Sequence, residues 1–344
     1  MKFDFCVGNP PYQDQSVGDN ETFAPPVYNK FMDAAYKVAD KVELIHPARF
    51  LFNAGSTPKP WNKKMLADKH FKVLEYVPDS KNIFANTEIK GGIAITYHDN
   101  NNNFGGIGTF TPYDELNSIL RKVKGSDSFV TFKNIVITRT AYRLTDKLHS
   151  DHPEAINQLS NGHAYDMSTN IFDRIPQVFF SEKPNDGLDY IKIFGRENNE
   201  RIYKWIRREY VNKVVNLDKY KVFMPSANGN GTFGETLSNP VLSEPGIGAT
   251  ETFISIGKCD EEYQARNILK YIKTKFVRSL LGILKITQHI TPEKWEYVPL
   301  QDFTNQSDID WSKSVDGIDK ILYKKYNLSI NEVQFIENKV KEMD

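Results

Sequence analysis

Cysteine is nearly absent, with Cys6 and Cys259 alone in 344 residues. Two thiols offer neither a disulfide framework nor a metal-spaced pair, so a reducing cytoplasm is the expected setting. No apolar run reaches the roughly 18–20 residues of a membrane span, and no secretory signal pattern opens the sequence. None of the seven histidines has another four residues away, so no zinc-type site is expected. Neither sign of charge dominates: 44 Lys and Arg balance 44 Asp and Glu, which leaves nucleic acid neither favoured nor excluded. There is a local imbalance, since Tyr190 to Lys294 holds 17 basic residues against 11 acidic ones. Hydrophobic content of 40% and aromatic content of 12% suit a globular chain, long enough for two domains.

The first hundred residues have an α/β cadence. Residues 3–8 read as a short buried strand, and Val27–Ala39 carries apolar groups at helical spacing. Val42–Ile45 reads as a second strand and Asn62–Asp68 as a short helix. Phe71–Val77 alternates as a strand, with Gly91–Tyr97 as its expected partner. Beyond about residue 130, Gly and Pro turns separate short strands at Gln177–Ser181, Tyr190–Phe194, Lys221–Pro225 and Thr252–Ile256. Phe129–Phe132 and Ile135–Thr138 flank Lys133-Asn134 as a hairpin would. Glu261–Leu284 reads as one long helix, with Arg266, Lys270 and Lys273 along one face. A two-helix tail begins near Ser314, and its second helix opens on a Ser329/Glu332 capping box.

The chemistry concentrates at Asn9-Pro10-Pro11-Tyr12, directly after the first strand. An aromatic amine such as the exocyclic nitrogen of adenine is a poor nucleophile, because its lone pair is delocalised into the ring. Two acceptors on its N–H bonds favour a tetrahedral nitrogen. The Asn9 side-chain oxygen and the Pro10 carbonyl are groups of that kind, and two prolines fix φ so that they are preorganised. Tyr12 offers a stacking face, which is worth roughly 1–3 kcal/mol per base. A base inside a duplex is out of reach and must be flipped out. The bland alternative is an ordinary Pro-rich turn.

This motif and its surroundings resemble the N6-adenine DNA methyltransferases of bacterial type II (type IIG-like) restriction–modification systems. Phe3–Tyr12 is similar to the family's fourth strand and catalytic turn, and Val42–Arg49 with Phe50-Leu51 to its fifth strand and exit. Asn82-Ile83-Phe84 and Ile89–Tyr97 are similar to the segment that completes the base pocket, with Phe84 at the position of an aromatic residue against the flipped adenine. The resemblance implies an α/β chain comprising the C-terminal half of a Rossmann-like methyltransferase sheet (1–120), a mixed α+β target-recognition domain (121–305) and a helical tail (306–344). It further implies catalytic roles for Asn9, Pro10, Pro11 and Tyr12, base contacts from Tyr12 and Phe84, and double-stranded DNA as partner. The donor would be S-adenosylmethionine, whose Gly-containing loop precedes the motif in this family and is not found here. Another chain or a missing N-terminal segment is therefore expected to supply it, and the first strand's edge is expected to be covered by another chain or by a refolded local segment. Gly229–Gly234 and Glu244–Ala249 are glycine-rich, but neither is followed by a helix as a donor loop would be.

DNA-backbone contacts are expected from Arg139, Arg143, Arg207, Arg208, Arg266, Lys270 and Lys273, each of which also reads as an ordinary solvated side chain. Two rival readings stand beside the methyltransferase. One is a non-catalytic DNA-recognition subunit. The other is a magnesium-dependent nuclease using Asp79, Glu88 and Lys90.

Overall fold

The computed structural model describes residues 2–14, 24–85, 89 and 91–343. The chain divides into two compact units, Met1–Asp114 and Glu115–Asp344. Among the described residues there are ten α-helices and three sheets. No helix among them is long and apolar enough to cross a membrane.

The first unit is built on β1 (Phe3–Gly8), α1 (Tyr28–Val38), β2 (Ala39–Pro47), α2 (Lys59–Ala67), β3 (Phe71–Val77) and β4 (Ile93–Asp99). Its sheet has the order β1-β2-β4-β3. β1 and β2 are parallel, with Cys6 opposite Val42 and Gly8 opposite Leu44; β4 runs antiparallel to both β2 and β3. Met32, Trp61, Met65 and Leu66 from α1 and α2 join Val42, Leu44, Phe50 and Phe71 in one core. The helices thus cover the face that carries Cys6, Val42 and Leu44.

The opposite face corrects the expectation of a buried first strand. Phe3, Phe5 and Val7 alternate onto it and are 59%, 54% and 71% exposed. Strand periodicity gave the element, but burial depends on a second layer, and α1 and α2 both lie on the first face. The outer edge of β1 pairs with no described strand, so the expected cover by a refolded local segment is not found among the described residues.

The second unit begins with α3 (Asp114–Lys124), β5 (Val136–Ile137) and three short helices, α4 (Asp146–Asp151), α5 (Ala155–Gln158) and α6 (Ile171–Arg174). It continues through β6 (Tyr190–Glu197), β7 (Glu200–Arg207), β8 (Tyr220–Pro225), β9 (Val241–Ser243), β10 (Ile247–Ala249) and β11 (Phe253–Cys259). The sheets have orders β10-β6-β7 and β5-β11-β8-β9. Phe194, Phe223 and Phe253 pack together between them, with ring centroids 4.3 to 5.7 Å apart along the stack. The chain closes with α7 (Glu262–Lys273), α8 (Lys275–Leu284), α9 (Val315–Lys325) and α10 (Ile330–Lys339).

Three local expectations are corrected here. The 129–138 hairpin does not form: Thr131 caps a 3-10 turn over Phe132–Ile135, and residues 130–132 pair instead with 298–300. Buried against Tyr271 and Trp295, Phe132 gains more than a two-stranded ribbon offers. Gln177–Ser181 is not a strand: Gln177 and Val178 belong to a 3-10 turn opened by Pro176, and only Phe180 bridges, to Trp205. The helix expected over Glu261–Leu284 is two helices. Thr274, at φ −58° and ψ 147°, breaks it, donating to the Tyr271 carbonyl at 2.7 Å and accepting from the Val277 N–H.

The first turn of α8 is finished from outside. The Asp319 carboxylate, 2% exposed, accepts the N–H groups of Lys275 and Phe276 at 2.9 and 2.8 Å. Removing it strands two buried donors. Asp319→Ala is expected to lower unfolding free energy by about 3 kcal/mol in urea titrations, with Asp319→Asn losing less. Equal losses for the two would show that volume, not hydrogen bonding, sets the effect.

Candidate active site

The Asn9–Tyr12 turn leaves the parallel strand β1 and is tied to the start of α1. The Val27 N–H donates to the Tyr12 carbonyl at 3.1 Å, and Gln13 bridges to Pro26. Asn9 and Pro11 are exposed, while Pro10 and Tyr12 are half-buried. The Tyr12 hydroxyl oxygen has no hydrogen-bond partner among the described residues, and burial raises its pKa. Its ring meets Phe84 edge-on, with centroids 6.4 Å apart at 65°.

Phe84 is positioned by a turn of its own. Asp79 accepts from the Lys81 N–H, the Phe84 N–H bonds the Ser80 carbonyl at 2.8 Å, and the buried Ser80 hydroxyl takes the Ile89 N–H. Tyr12 and Phe84, 72 positions apart in the sequence, thereby meet as one aromatic corner. Beside it lies a cleft of about 390 Å³, to which Tyr12, Gln13, Tyr28, Arg49, Ser56 and Ile89 contribute. Concave, largely uncharged clefts of this size are usual ligand sites.

Tyr28 and Arg49 were not singled out as site residues in the sequence. Arg49 stands at the exit of β2, at the end of the Val42–Arg49 segment likened above to the family's fifth strand. Tyr28 lies inside the helix expected over Val27–Ala39 but outside its apolar spacing. It is 4% exposed and lies parallel to the His46 ring at 5.8 Å; burial pushes its phenol up to about 12. His46 is fully buried and pushed down to about 4 by desolvation, so it is neutral. With Nδ1–H donated to the Pro47 carbonyl, its Nε2 accepts the Thr96 hydroxyl at 2.7 Å. It shapes the floor beneath Tyr28.

The basic residues named for DNA lie in the second unit. Arg143 pairs with Asp166 at 3.3 Å, Arg207 with Asp151 and Glu209, and Arg208 with Asp189 at 2.6 Å and Asp218 at 2.9 Å. Arg266 pairs with Glu262 one helical turn away. The Lys270 ammonium donates to the carbonyls of Trp311 and Lys313. Lys273 is half-buried on α7, and Arg139 is exposed on the turn after β5.

The two glycine-rich segments do not fit a nucleoside donor. The backbone N–H groups of Asn230 and Gly231 already hold the Glu235 carboxylate, which pairs with Lys285. A Cβ on Gly229 would lie 1.9 Å from that carboxylate. Ile247–Ala249 is a strand paired with β6. Of the nuclease candidates, Asp79 serves as the turn cap described above, and Glu88 and Lys90 lie outside the described residues. No metal-binding cluster of acidic, His or Cys residues occurs among the described ones.

Against this geometry the comparisons are specific about one segment. Residues 1–84 match the Eco57I restriction-modification methylase family. That segment holds the turn, the cleft's Tyr28 and Arg49, and Phe84. An uncharacterised adenine-specific methylase of Mycoplasma pneumoniae is 33% identical over 103 residues, covering 29% of this chain and 24% of that protein. The chain therefore spans about a quarter of the length of this relative. Two solved enzymes are loosely similar overall. The type IIG restriction endonuclease BpuSI has a TM-score of 0.34 at 10% identity, covering 91% of this chain and 48% of that one. The type IIL restriction-modification enzyme MmeI, solved with DNA, has a TM-score of 0.37 at 9% identity, covering 97% and 56%.

Proposed function

We propose that this chain carries the base-binding part of a site-specific DNA adenine N6-methyltransferase of a restriction–modification system. The observation that carries the reading is the Asn9-Pro10-Pro11-Tyr12 turn at the end of a parallel strand, set against Phe84 and an adjoining cleft inside the family-matched segment. A flipped adenine stacks on Tyr12 and meets the edge of Phe84. Its amine donates one N–H to Asn9 Oδ1 and the other to the Pro10 carbonyl. As the nitrogen turns tetrahedral and gains positive charge, both acceptors bind it more strongly, which lowers the barrier. No separate general base is required of the protein.

The donor this reading implies is S-adenosylmethionine, which supplies the methyl group. Neither glycine-rich segment fits it, since one holds the Glu235 carboxylate and the other is a paired strand. We assign its binding to a further half of a Rossmann-like sheet, carried by another segment or chain. The bare face of Phe3, Phe5 and Val7 and the edge of β1, unpaired among the described residues, leave room for such a layer, since parallel strands are normally covered on both faces. The second unit is then the target-recognition part, its ion-paired arginines exchanging carboxylates for DNA phosphates, with marked salt dependence.

The test is methyl transfer from radiolabelled S-adenosylmethionine to DNA by the native assembly containing this chain. Label on the N6 nitrogen of adenine is expected. Salt-sensitive DNA binding without transfer would leave only a recognition subunit, and magnesium-dependent cutting lost in Asp79→Ala would favour a nuclease.

A further inference from the structure

The β6–β7 hairpin carries five cations, Lys192, Arg196, Arg201, Lys204 and Arg207, and four of them are already engaged. Arg196 donates to the Asn199 carbonyl and Arg201 to those of Ser238 and Asn239, while Lys204 pairs with Glu197 and Arg207 with Asp151 and Glu209. Lys192 is the exception. Its ammonium meets no carboxylate and no hydrogen-bond acceptor among the described residues, and lies instead over the Trp205 ring, 4.9 Å from its centre. Lys183 reaches the same ring from the loop after Phe180, at 5.8 Å, and is likewise unpaired among the described residues.

Strand register brings these groups together. Lys192 and Trp205 stand directly opposite one another across the antiparallel pair, so their side chains share one face. On its other side the Trp205 backbone is fixed by Phe180, the two residues exchanging N–H···O bonds of 2.7 and 2.8 Å. The Lys192 N–H is held by the Gly246 carbonyl at 3.0 Å. Trp205 and Lys192 are half-buried and Lys183 is exposed, so the ring and its two cations sit at the surface of the second unit on a rigid base.

Two like charges drawn to one ring repel each other, and an exposed aromatic face offsets only about 0.5–1 kcal/mol per cation. Unneutralised cations of this kind suit an anion. The flat apolar face between them suits a polynucleotide strand in particular, which brings phosphates for the lysines and a sugar for the indole.

We infer that Lys183, Lys192 and Trp205 form a DNA-backbone contact, in which the two ammoniums take phosphates and the indole packs on the deoxyribose between them. This rests on the reading of the second unit as a DNA-binding part. It adds to the arginines named from the sequence, since Arg207 and Arg208 must first give up carboxylates and these lysines need not. Contacts of this kind fix position on the duplex and carry no sequence information.

The test titrates the full chain with random-sequence duplex DNA over a range of salt. Each phosphate contact contributes about 0.9 to the slope of log K against log salt, so Lys183→Gln and Lys192→Gln should each lower it by about that much, and the double variant by about 1.8. Tryptophan fluorescence gives a second readout in the unmodified chain. Trp61, Trp295 and Trp311 are buried, so acrylamide quenches chiefly Trp205, and saturating DNA should remove most of that quenching. DNA binding by the wild type with an unchanged slope in the double variant, or with Trp205 still open to acrylamide, overturns the inference and leaves the DNA-binding reading standing. No DNA binding by the wild type at any salt removes both. Protection of Trp205 by poly-glutamate as complete as by DNA would overturn it in favour of an acidic peptide.

Discussion

Asn9→Ala is expected to reduce N6-adenine methyl transfer by the native assembly at least about a hundredfold, with DNA affinity nearly unchanged. The size follows from what is lost. In the proposed reading Asn9 Oδ1 is one of two acceptors for an amine that becomes cationic, and removing a preorganised hydrogen-bonding group at a site of developing charge typically costs 10²–10³ in rate. The Asn9 side chain is exposed at the end of β1 and supports no core packing, so the variant should fold and melt like the parent. The loss should appear in kcat and kcat/KM together, the pattern of an interaction made chiefly in the transition state. A variant that only raises KM would make Asn9 a ground-state contact. Tyr12→Ala differs: loss of stacking weakens binding of the base, so KM should rise as well.

Acid is expected to destabilise the first unit through His46. The ring is fully buried and its folded pKa lies near 4, against about 6.5 for an unfolded chain. A depressed histidine pKa means that the unfolded chain binds the proton more readily. The contribution is therefore fully present above pH 6.5 and lost progressively as pH falls from 6.5 toward 4. The 2.5-unit gap corresponds to about 3 kcal/mol. Denaturant unfolding between pH 7 and 4, compared for wild type and His46→Gln, should show this difference in slope. His98 is also depressed, chiefly by desolvation and opposed by Asp68, so part of the acid sensitivity should remain in the variant. Identical slopes in the two proteins would contradict the burial of an unprotonated ring beneath Tyr28.

The strands, helices and turn of the first unit were legible because their signals are local. Val27–Ala39 has one clear apolar stripe and became Tyr28–Val38; Phe71–Val77 and Gly91–Tyr97 pair as expected. The capping box at Ser329 and Glu332 formed as its spacing required. What escaped was long-range. The exposure of Phe3, Phe5 and Val7 depends on which face the helices choose, and no periodicity encodes that. Phe132 prefers a partner strand 166–168 residues away to the neighbour that its alternation suggested. β7 was missed although Asn198-Asn199, both at positive φ, make the two-residue turn that joins it to β6. Thr274 hid within a continuous apolar stripe because a capping hydroxyl leaves no mark on hydrophobic spacing. At the site, Asn9–Tyr12 announced itself through residue type and order, whereas Arg49 joined it only through the cleft that the folded chain makes.

The central claim is that an adenine base rests on Tyr12, and photolabelling of the isolated chain with 8-azidoadenosine 5′-monophosphate tests it without a methyl donor or a known DNA sequence. Mass spectrometry should place the adduct on the peptides containing Tyr12 or Phe84, with labelling suppressed by excess adenosine 5′-monophosphate. Labelling confined to residues 115–344, or unaffected by competitor and by Tyr12→Ala, would contradict it.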